Sequence, residues 1–264
     1  MPAPTNNFKA AIARGEKQIG LWLALASAYS AEIAGSAGFD WLLIDGEHAP
    51  NDLPLISAQI AALNASPSHP VVRVPIGETW IIKQVLDAGA QTILVPMVET
   101  AEHAQQLVRA MKYPPEGMRG VGAMLARASN FGRITDYLTT ANDEVCLLLQ
   151  AESRAAIDAL DEIAAVDGVD GIFIGPSDLA ADMGFLGRPT APEVQSVIED
   201  GLKRIIKSGK AAGILTGDPS LAQRYLELGA SFVAVGTDVT LFTQATATLA
   251  ARFKDRPEAP PAGY

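Results

Sequence analysis

Short β-branched or apolar runs alternate with longer amphipathic segments along nearly the whole chain, and this alternation limits the fold more than any other feature. Candidate strands lie at residues 19–25, 41–45, 70–74, 92–95, 144–152, 171–174, 211–215 and 232–235. A candidate helix follows each, at 30–37, 53–63, 80–88, 100–111, 154–166, 192–208, 219–228 and 239–253. Strict strand–helix alternation requires a parallel sheet, and eight such pairs are the number that closes a (β/α)8 TIM barrel. The rival is an open, doubly wound sheet. Such a sheet usually carries a Gly-rich turn after its first strand, whereas Ala26-Ser27-Ala28 stands there in this chain. Gly38, Gly89, Gly168, Gly209 and Gly229 fall just after helical runs, where a left-handed terminator belongs. Asp218-Pro219 and Ala191-Pro192 place proline in a first helical turn.

The 264 residues, 48% hydrophobic, suit one α/β domain with a large buried core, expected over residues 1–255. Residues 256–264 read as a Pro-rich C-terminal tail. Residues 112–142, rich in Gly, Arg and aromatics, interrupt the alternation, and an insertion that long in a compact barrel is usually a functional loop or an oligomer contact. No apolar run is long enough to cross a membrane. The polar N-terminus lacks the basic start and apolar core of a signal peptide, so a cytoplasmic location is expected. Cys146 is the sole cysteine and sits in an apolar run, which excludes a disulfide framework or a thiolate metal site and favours a buried structural thiol. A formal net charge of −10 argues against nucleic acid as a partner. It also means that an anionic substrate would need locally concentrated positive charge.

Active sites of such barrels lie at the C-terminal ends of the strands. That rule selects Asp45-Gly46-Glu47-His48, Arg73, Gln150-Ala151-Glu152, Gly175-Pro176-Ser177-Asp178 and Leu215-Thr216-Gly217-Asp218. Glu152 and Asp178 are expected to close neighbouring strands, about 4.8 Å apart, where two carboxylates repel unless protonated or bridged by a cation. All-oxygen ligation suits Mg2+, Mn2+ or Co2+; alternatively, either carboxylate caps the following helix. Gln150 and Glu152, two apart, share one strand face. Arg73 interrupts an apolar strand, as a guanidinium serving a carboxylate or developing enolate would, or else pairs with Glu47 or Asp45. His69 is expected at the bottom of the barrel and His103 in a first helical turn. His48 is then the histidine placed to act as a base. A Schiff-base mechanism needs a lysine inside the barrel or at a strand's C-terminal end. Lys83, Lys112, Lys203 and Lys207 fall on or just past helices, Lys9, Lys17 and Lys254 are terminal, and Lys210 precedes the seventh strand. The enamine route is closed on this reading.

The stretches Gly20-Leu21-Trp22, Leu43-Ile44-Asp45-Gly46-Glu47-His48, Val72-Arg73-Val74, Leu94-Val95-Pro96-Met97, Gln150-Ala151-Glu152-Ser153 and Ile174-Gly175-Pro176-Ser177-Asp178-Leu179 resemble the class II pyruvate aldolases of the hydroxy-oxo-heptanedioate type, in order from about residue 8 to residue 253. The resemblance implies that Glu152 and Asp178 ligate a divalent metal (Mg2+, Mn2+ or Co2+), which chelates a 2-oxo acid. It implies substrate contact by Gln150 and a carboxylate held by the main-chain amides of Ser177 and Asp178. Arg73 would stabilise an enolate, and His48 would handle the proton, made more basic by Asp87. Trp22, Phe173 and Leu215 would shape the pocket wall. Many relatives have alanine at the position of Ser177, a difference of little consequence for a main-chain contact. Asp87 belongs near the end of the third predicted helix, away from the top face, so it is expected to reach His48 across a subunit interface. The implied assembly is a homo-oligomer, a hexamer built as a trimer of dimers. Residues 118–131 are expected to close over the aldehyde side, and the implied partners are a small 2-oxo acid and an aldehyde. A citrate-lyase-like enzyme acting on a CoA thioester and a catalytically silent, metabolite-binding barrel are the alternatives.

Overall fold

The computed structural model describes residues 1–254, so the expected tail at 256–264 lies outside the described residues. Eight parallel strands close into a barrel in sequence order, with the first bonded to the last. They are β1 (Gln18–Leu23), β2 (Trp41–Asp45), β3 (His69–Arg73), β4 (Thr92–Val95), β5 (Cys146–Ala151), β6 (Gly171–Ile174), β7 (Ala211–Leu215) and β8 (Phe232–Thr237). The helices, in chain order, are α1 (Asn7–Ala13), α2 (Ala28–Gly35), α3 (Leu53–Ala62), α4 (Thr79–Asp87), α5 (Ala101–Met111) and α6 (Tyr137–Glu144), then α7 (Arg154–Asp158), α8 (Leu160–Ala164), α9 (Pro176–Asp182), α10 (Pro192–Lys207), α11 (Pro219–Leu228) and α12 (Asp238–Ala251). All eight expected strands are present. The expected helix at 154–166 divides into α7 and α8, with Ala159 out of helical conformation between them.

Three helices have no counterpart in the periodic pattern. α1 is capped by Asn6, whose side chain accepts from the Lys9 N–H, and its Phe8 and Ile12 plug the bottom of the barrel. α6 lies within the insertion, where Tyr113, Ala123, Tyr137 and Ala141 form a small core of their own with Ala3. α9 begins directly after β6, with Pro176 in its first turn and Leu179 and Ala180 buried. Seven residues give too few turns to show a helical period.

Two apolar layers follow from the two-residue period of the strands. Alternate strand residues such as Leu42, Ile44, Val72 and Ile93 pack outward against the helices. The others, among them Trp41, Leu43, Val71, Leu148, Phe173 and Phe232, fill the barrel interior. Cys146 is one of this inner set and fully buried, as its apolar run implied. The inner layer depends on a volume trade between neighbours: Gly213 and Phe232 are partners in the β7–β8 register, and a Cβ on Gly213 would fall within the Phe232 ring. Extending the inward alternation by one step reaches Asp45 after Leu43, Arg73 after Val71 and Gln150 after Leu148. The barrel interior is therefore oily below and polar at its top. Among the described residues no helix is long and apolar enough to cross a membrane.

His69 stands at the opposite end, stacked on Phe8 at 5.5 Å and hydrogen-bonded through Nε2 to the Thr92 hydroxyl at 2.8 Å. This is the structural role expected of it. Burial pushes its pKa from 6.5 down to about 4. The folded protein thus keeps the ring neutral over a range in which the unfolded chain protonates it, so this contribution to stability is present above pH 6.5 and is lost as the pH falls toward 4. Urea unfolding measured from pH 7 to pH 4 is expected to show a smaller loss of stability in His69→Gln than in the wild type. Equal losses would contradict the assignment.

Candidate active site

Asp45 organises the mouth of the barrel. It stands opposite Arg73 in the β2–β3 register and receives its fork, Nε on Oδ1 at 2.9 Å and Nη2 on Oδ2 at 2.7 Å. The Trp22 indole N–H also donates to Asp45, at 3.3 Å, as do the backbone N–H groups of Glu47 at 3.0 Å and His48 at 3.3 Å. Burial alone would raise the Asp45 pKa, but the Arg73 hydrogen bonds and charge hold it below its ordinary value. Arg73 is buried, lies 5.1 Å above the Trp22 ring and has a second carboxylate, Glu47 Oε2, 2.8 Å from Nη1. Pairing with Asp45 and Glu47, one of the two roles open to Arg73 from its position, is what the structure shows, and Arg73 also lines the cavity at the mouth. Burial raises the Glu47 pKa, partly offset by Arg73.

Glu152 lies one residue past the end of β5 and is only 3% exposed. Its Oε1 accepts the Met97 N–H at 2.8 Å and its Oε2 accepts the Gln150 amide. Gln150 Oε1 is buried and has no partner. Burial pushes the Glu152 pKa up to about 7, and the charges of Asp178 and Glu47 add to the rise. The close approach is possible because residue 175 is glycine: a Cβ there would stand 2.6 Å from Glu152 Oε2 and 2.8 Å from Glu152 Cβ.

The expectation that Asp178 closes a strand needs correction. β6 ends at Ile174, and Asp178 sits in the first turn of α9, exposed. Its side chain makes no cap hydrogen bond, so the helix-capping alternative does not describe it either. No group of three or more His, Cys, Asp or Glu side chains positioned to hold an ion occurs among the described residues. What stands here is a pair of carboxylates whose like charges repel, Glu152 buried and Asp178 exposed. Carboxylates so placed fit a hard divalent cation.

Trp22, His48, Arg73, Gln150, Phe173, Ser177, Asp178 and Leu215 all line one cavity of about 530 Å³ at the top of the barrel. His48 is exposed there, with Nε2 3.9 Å from Glu47 Oε2. Sequence reasoning reached Thr216, just past the end of β7, but overlooked the rest of the far wall, made by Pro189, Thr190, Gln195, Leu221 and Tyr225. It is braced by Tyr225 Oη donating to Gln195 at 2.7 Å, and by Gln195 donating to the Pro189 carbonyl at 2.9 Å. Gln195 and Tyr225 lie inside helices and carried no positional signal. Asp45, in contrast, was readable from its inward step beyond Leu43.

Two expected participants stand apart from this cavity within the chain. Asp87 ends α4, and α4 runs from the top of the barrel to the bottom; its Oδ1 is 2.6 Å from Arg119 Nη2. Residues 118–131 are absent from the lining of their own cavity. They form two 3-10 turns, Ala123–Leu125 and Arg127–Ser129, and expose Val121, Met124, Leu125 and Phe131.

Residues 18–245 match the family described as HpcH/HpaI aldolase/citrate lyase. A hydroxypyruvate/pyruvate aldolase of Agrobacterium fabrum is 62% identical over the full length of both chains. A 4-hydroxy-2-oxo-heptane-1,7-dioate aldolase of Escherichia coli is 57% identical over 94% of this chain and 95% of its own. Among solved structures, an HpcH/HpaI aldolase/citrate lyase family protein of Burkholderia cenocepacia superposes with a TM-score of 0.91 at 42% identity, covering 94% of this chain and 99% of that one. The closed barrel, the carboxylates at its mouth and these likenesses lead to one assignment: the chain belongs to the HpcH/HpaI aldolase/citrate lyase family.

Proposed function

We propose that this protein is a carbon–carbon lyase that reversibly cleaves 4-hydroxy-2-oxo acids to pyruvate, or hydroxypyruvate, and an aldehyde. The observation that carries this reading is the buried Glu152 carboxylate, repelled by the like charge of Asp178 and bonded to Gln150, which lines one cavity together with Asp178 and the fixed Arg73 guanidinium. Relatives 62% and 57% identical, named for the same chemistry, support it.

Glu152 and Asp178 would hold Mg2+, Mn2+ or Co2+. Such an ion, when bound, draws electron density from the carboxylate and keto oxygens of a 2-oxo acid. The first-turn N–H groups of Ser177 and Asp178 have no acceptor within α9 and would receive the substrate carboxylate. The unpaired Gln150 carbonyl would accept from a substrate hydroxyl. Trp22, Phe173 and Leu215 contribute to the apolar part of the wall. In cleavage the C4 hydroxyl loses its proton, the C3–C4 bond breaks, and its electron pair remains on the pyruvate half as an enolate. Arg73, already fixed by Asp45, offsets that developing charge without having to reorganise. His48, exposed in the same cavity, would take up and return the proton. A citrate-lyase-like reaction on a CoA thioester is less well supported, because among the described residues Arg73 is the only Arg or Lys lining the cavity and two carboxylates already engage it. Cys146, buried in the barrel, suits a cytoplasmic setting.

We also infer that the enzyme works as a homo-oligomer in which Asp87 and residues 118–131 serve a neighbouring copy's cavity. The exposed apolar side chains of that segment support this, as does the position of Asp87 away from its own His48.

Pyruvate release from a 4-hydroxy-2-oxo acid tests the main reading. Thorough chelation is expected to abolish it and added Mg2+, Mn2+ or Co2+ to restore it; Glu152→Gln should lower kcat/KM by about 100-fold or more. Turnover that survives chelation would refute the cation's role. Gly175→Ala should displace Glu152 and weaken Mn2+ binding by roughly 10-fold in calorimetry; unchanged binding would mean the close approach is immaterial. Mixing His48→Ala with Asp87→Asn protein, each expected to be nearly inactive, should recover activity through sites that join His48 of one chain to Asp87 of another. No recovery after subunit exchange would place both residues in the same chain or outside the mechanism.

A further inference from the structure

We propose that Met97 is a positioning residue, whose left-handed backbone turns its amide N–H onto the Glu152 carboxylate and sets that side chain for a cation. The proposal rests on the reading of Glu152 as a ligand.

Met97 follows Pro96 in the turn that leaves β4, and its φ is 56°. A side chain with a Cβ is disfavoured there, and such a residue persists only where its surroundings impose the conformation. The Met97 side chain is 56% exposed, so its own packing does not account for the geometry. The backbone does. The Met97 N–H meets Glu152 Oε1 at 2.8 Å, the Val98 N–H meets the Gln150 carbonyl at 3.2 Å, and Glu99 Oε1 accepts the Ser153 hydroxyl at 2.5 Å. Val98 between them is buried. Residues 97–99 are thus fastened, one after another, to the end of β5 that carries the two polar side chains of the mouth.

Four non-glycine residues among those described have positive φ: Ala26, Met97, Asn130 and Phe131. Met97 is the one whose N–H ends on a buried carboxylate. The Met97 N–H on Oε1 and the Gln150 amide on Oε2 together hold the carboxylate in one orientation, in which it would receive a cation. A negatively charged side chain pinned in this way need not search rotamers when the ion arrives. Partners of this kind around a metal ligand commonly contribute 10–100-fold in metal affinity.

The test compares the purified full-length protein with three variants at position 97 and with Glu152→Gln. Met97→Gly keeps the N–H and adopts positive φ freely. Met97→Val keeps the N–H but resists the conformation through its β-branch. The third replaces the Met97 backbone amide with an ester, which removes the N–H and leaves the side chain unchanged. Mn2+ affinity is read by electron paramagnetic resonance, and the metal-free melting temperature is recorded alongside. The glycine variant should bind Mn2+ within about 2-fold of the wild type, whereas the valine and ester variants should bind roughly 10-fold more weakly, without a matching loss in metal-free melting temperature. If valine prevents folding, the glycine and ester proteins decide the question. Wild-type affinity in the ester protein, with binding lost in Glu152→Gln, would overturn the role of Met97 alone. A wild-type protein that takes up no Mn2+ would overturn the ligand reading and this proposal with it.

Discussion

Closing eight parallel strands leaves every inward side chain without an alternative: it packs against its neighbours in the barrel or it ends at the mouth. Asp45, Arg73 and Gln150 are inward by strand alternation, and each lies at or near the C-terminal end of its strand. Lower in the barrel their burial would be prohibitive. At the mouth Asp45 and Arg73 satisfy each other and Gln150 donates to Glu152, with Gln150 Oε1 left over. The chemistry of the site is a product of this geometry. Asp45 takes the guanidinium fork and also the N–H groups that shape the loop bearing His48, so one carboxylate sets the positions of a guanidinium and of an imidazole together.

Much of this is legible in the sequence. The alternation of strand-like and helix-like segments revealed the barrel, because a parallel strand buried on both faces leaves a dense apolar run and each return leaves an amphipathic one. Strand ends then located His48, Arg73, Gln150, Glu152, Ser177 and Asp178, all but Glu152 among the residues lining the cavity, with Glu152 bonded to Gln150 beside it. Local chemistry too short or too distant to show a period remained hidden. α9 spans seven residues, so Asp178 read as a strand terminus when it belongs to a helix. α1 follows the polar N-terminus and spans seven residues, too few to show a period, yet its Phe8 is among the most deeply buried rings in the molecule. The braced wall of Gln195 and Tyr225 depends on two helices meeting, which no window along one segment reveals.

The insertion between α5 and β5 illustrates a different limit. Its glycines and arginines suggested a loop with work to do, and the structure shows a compact lobe anchored by Arg119, which lies over the Tyr113 ring at 4.4 Å and pairs with Asp87. Within one chain that lobe faces away from the cavity it was expected to cover. A buried cation tied to a carboxylate at the foot of α4 is a firm mount, and it holds the exposed apolar turn at residues 121–125 in a defined place on the surface.

The pairing of Gly213 with Phe232 across β7 and β8 carries a consequence for how this barrel can change over time. The ring fills the space that its partner vacates, so the two positions form a single unit of volume shared between adjacent strands. A bulkier residue at 213 would be tolerated only alongside a smaller one at 232, and neither step alone leads downhill. Drift in the barrel's inner wall should therefore proceed by linked exchanges, conserving the summed size of neighbours while the identity of each is free to wander.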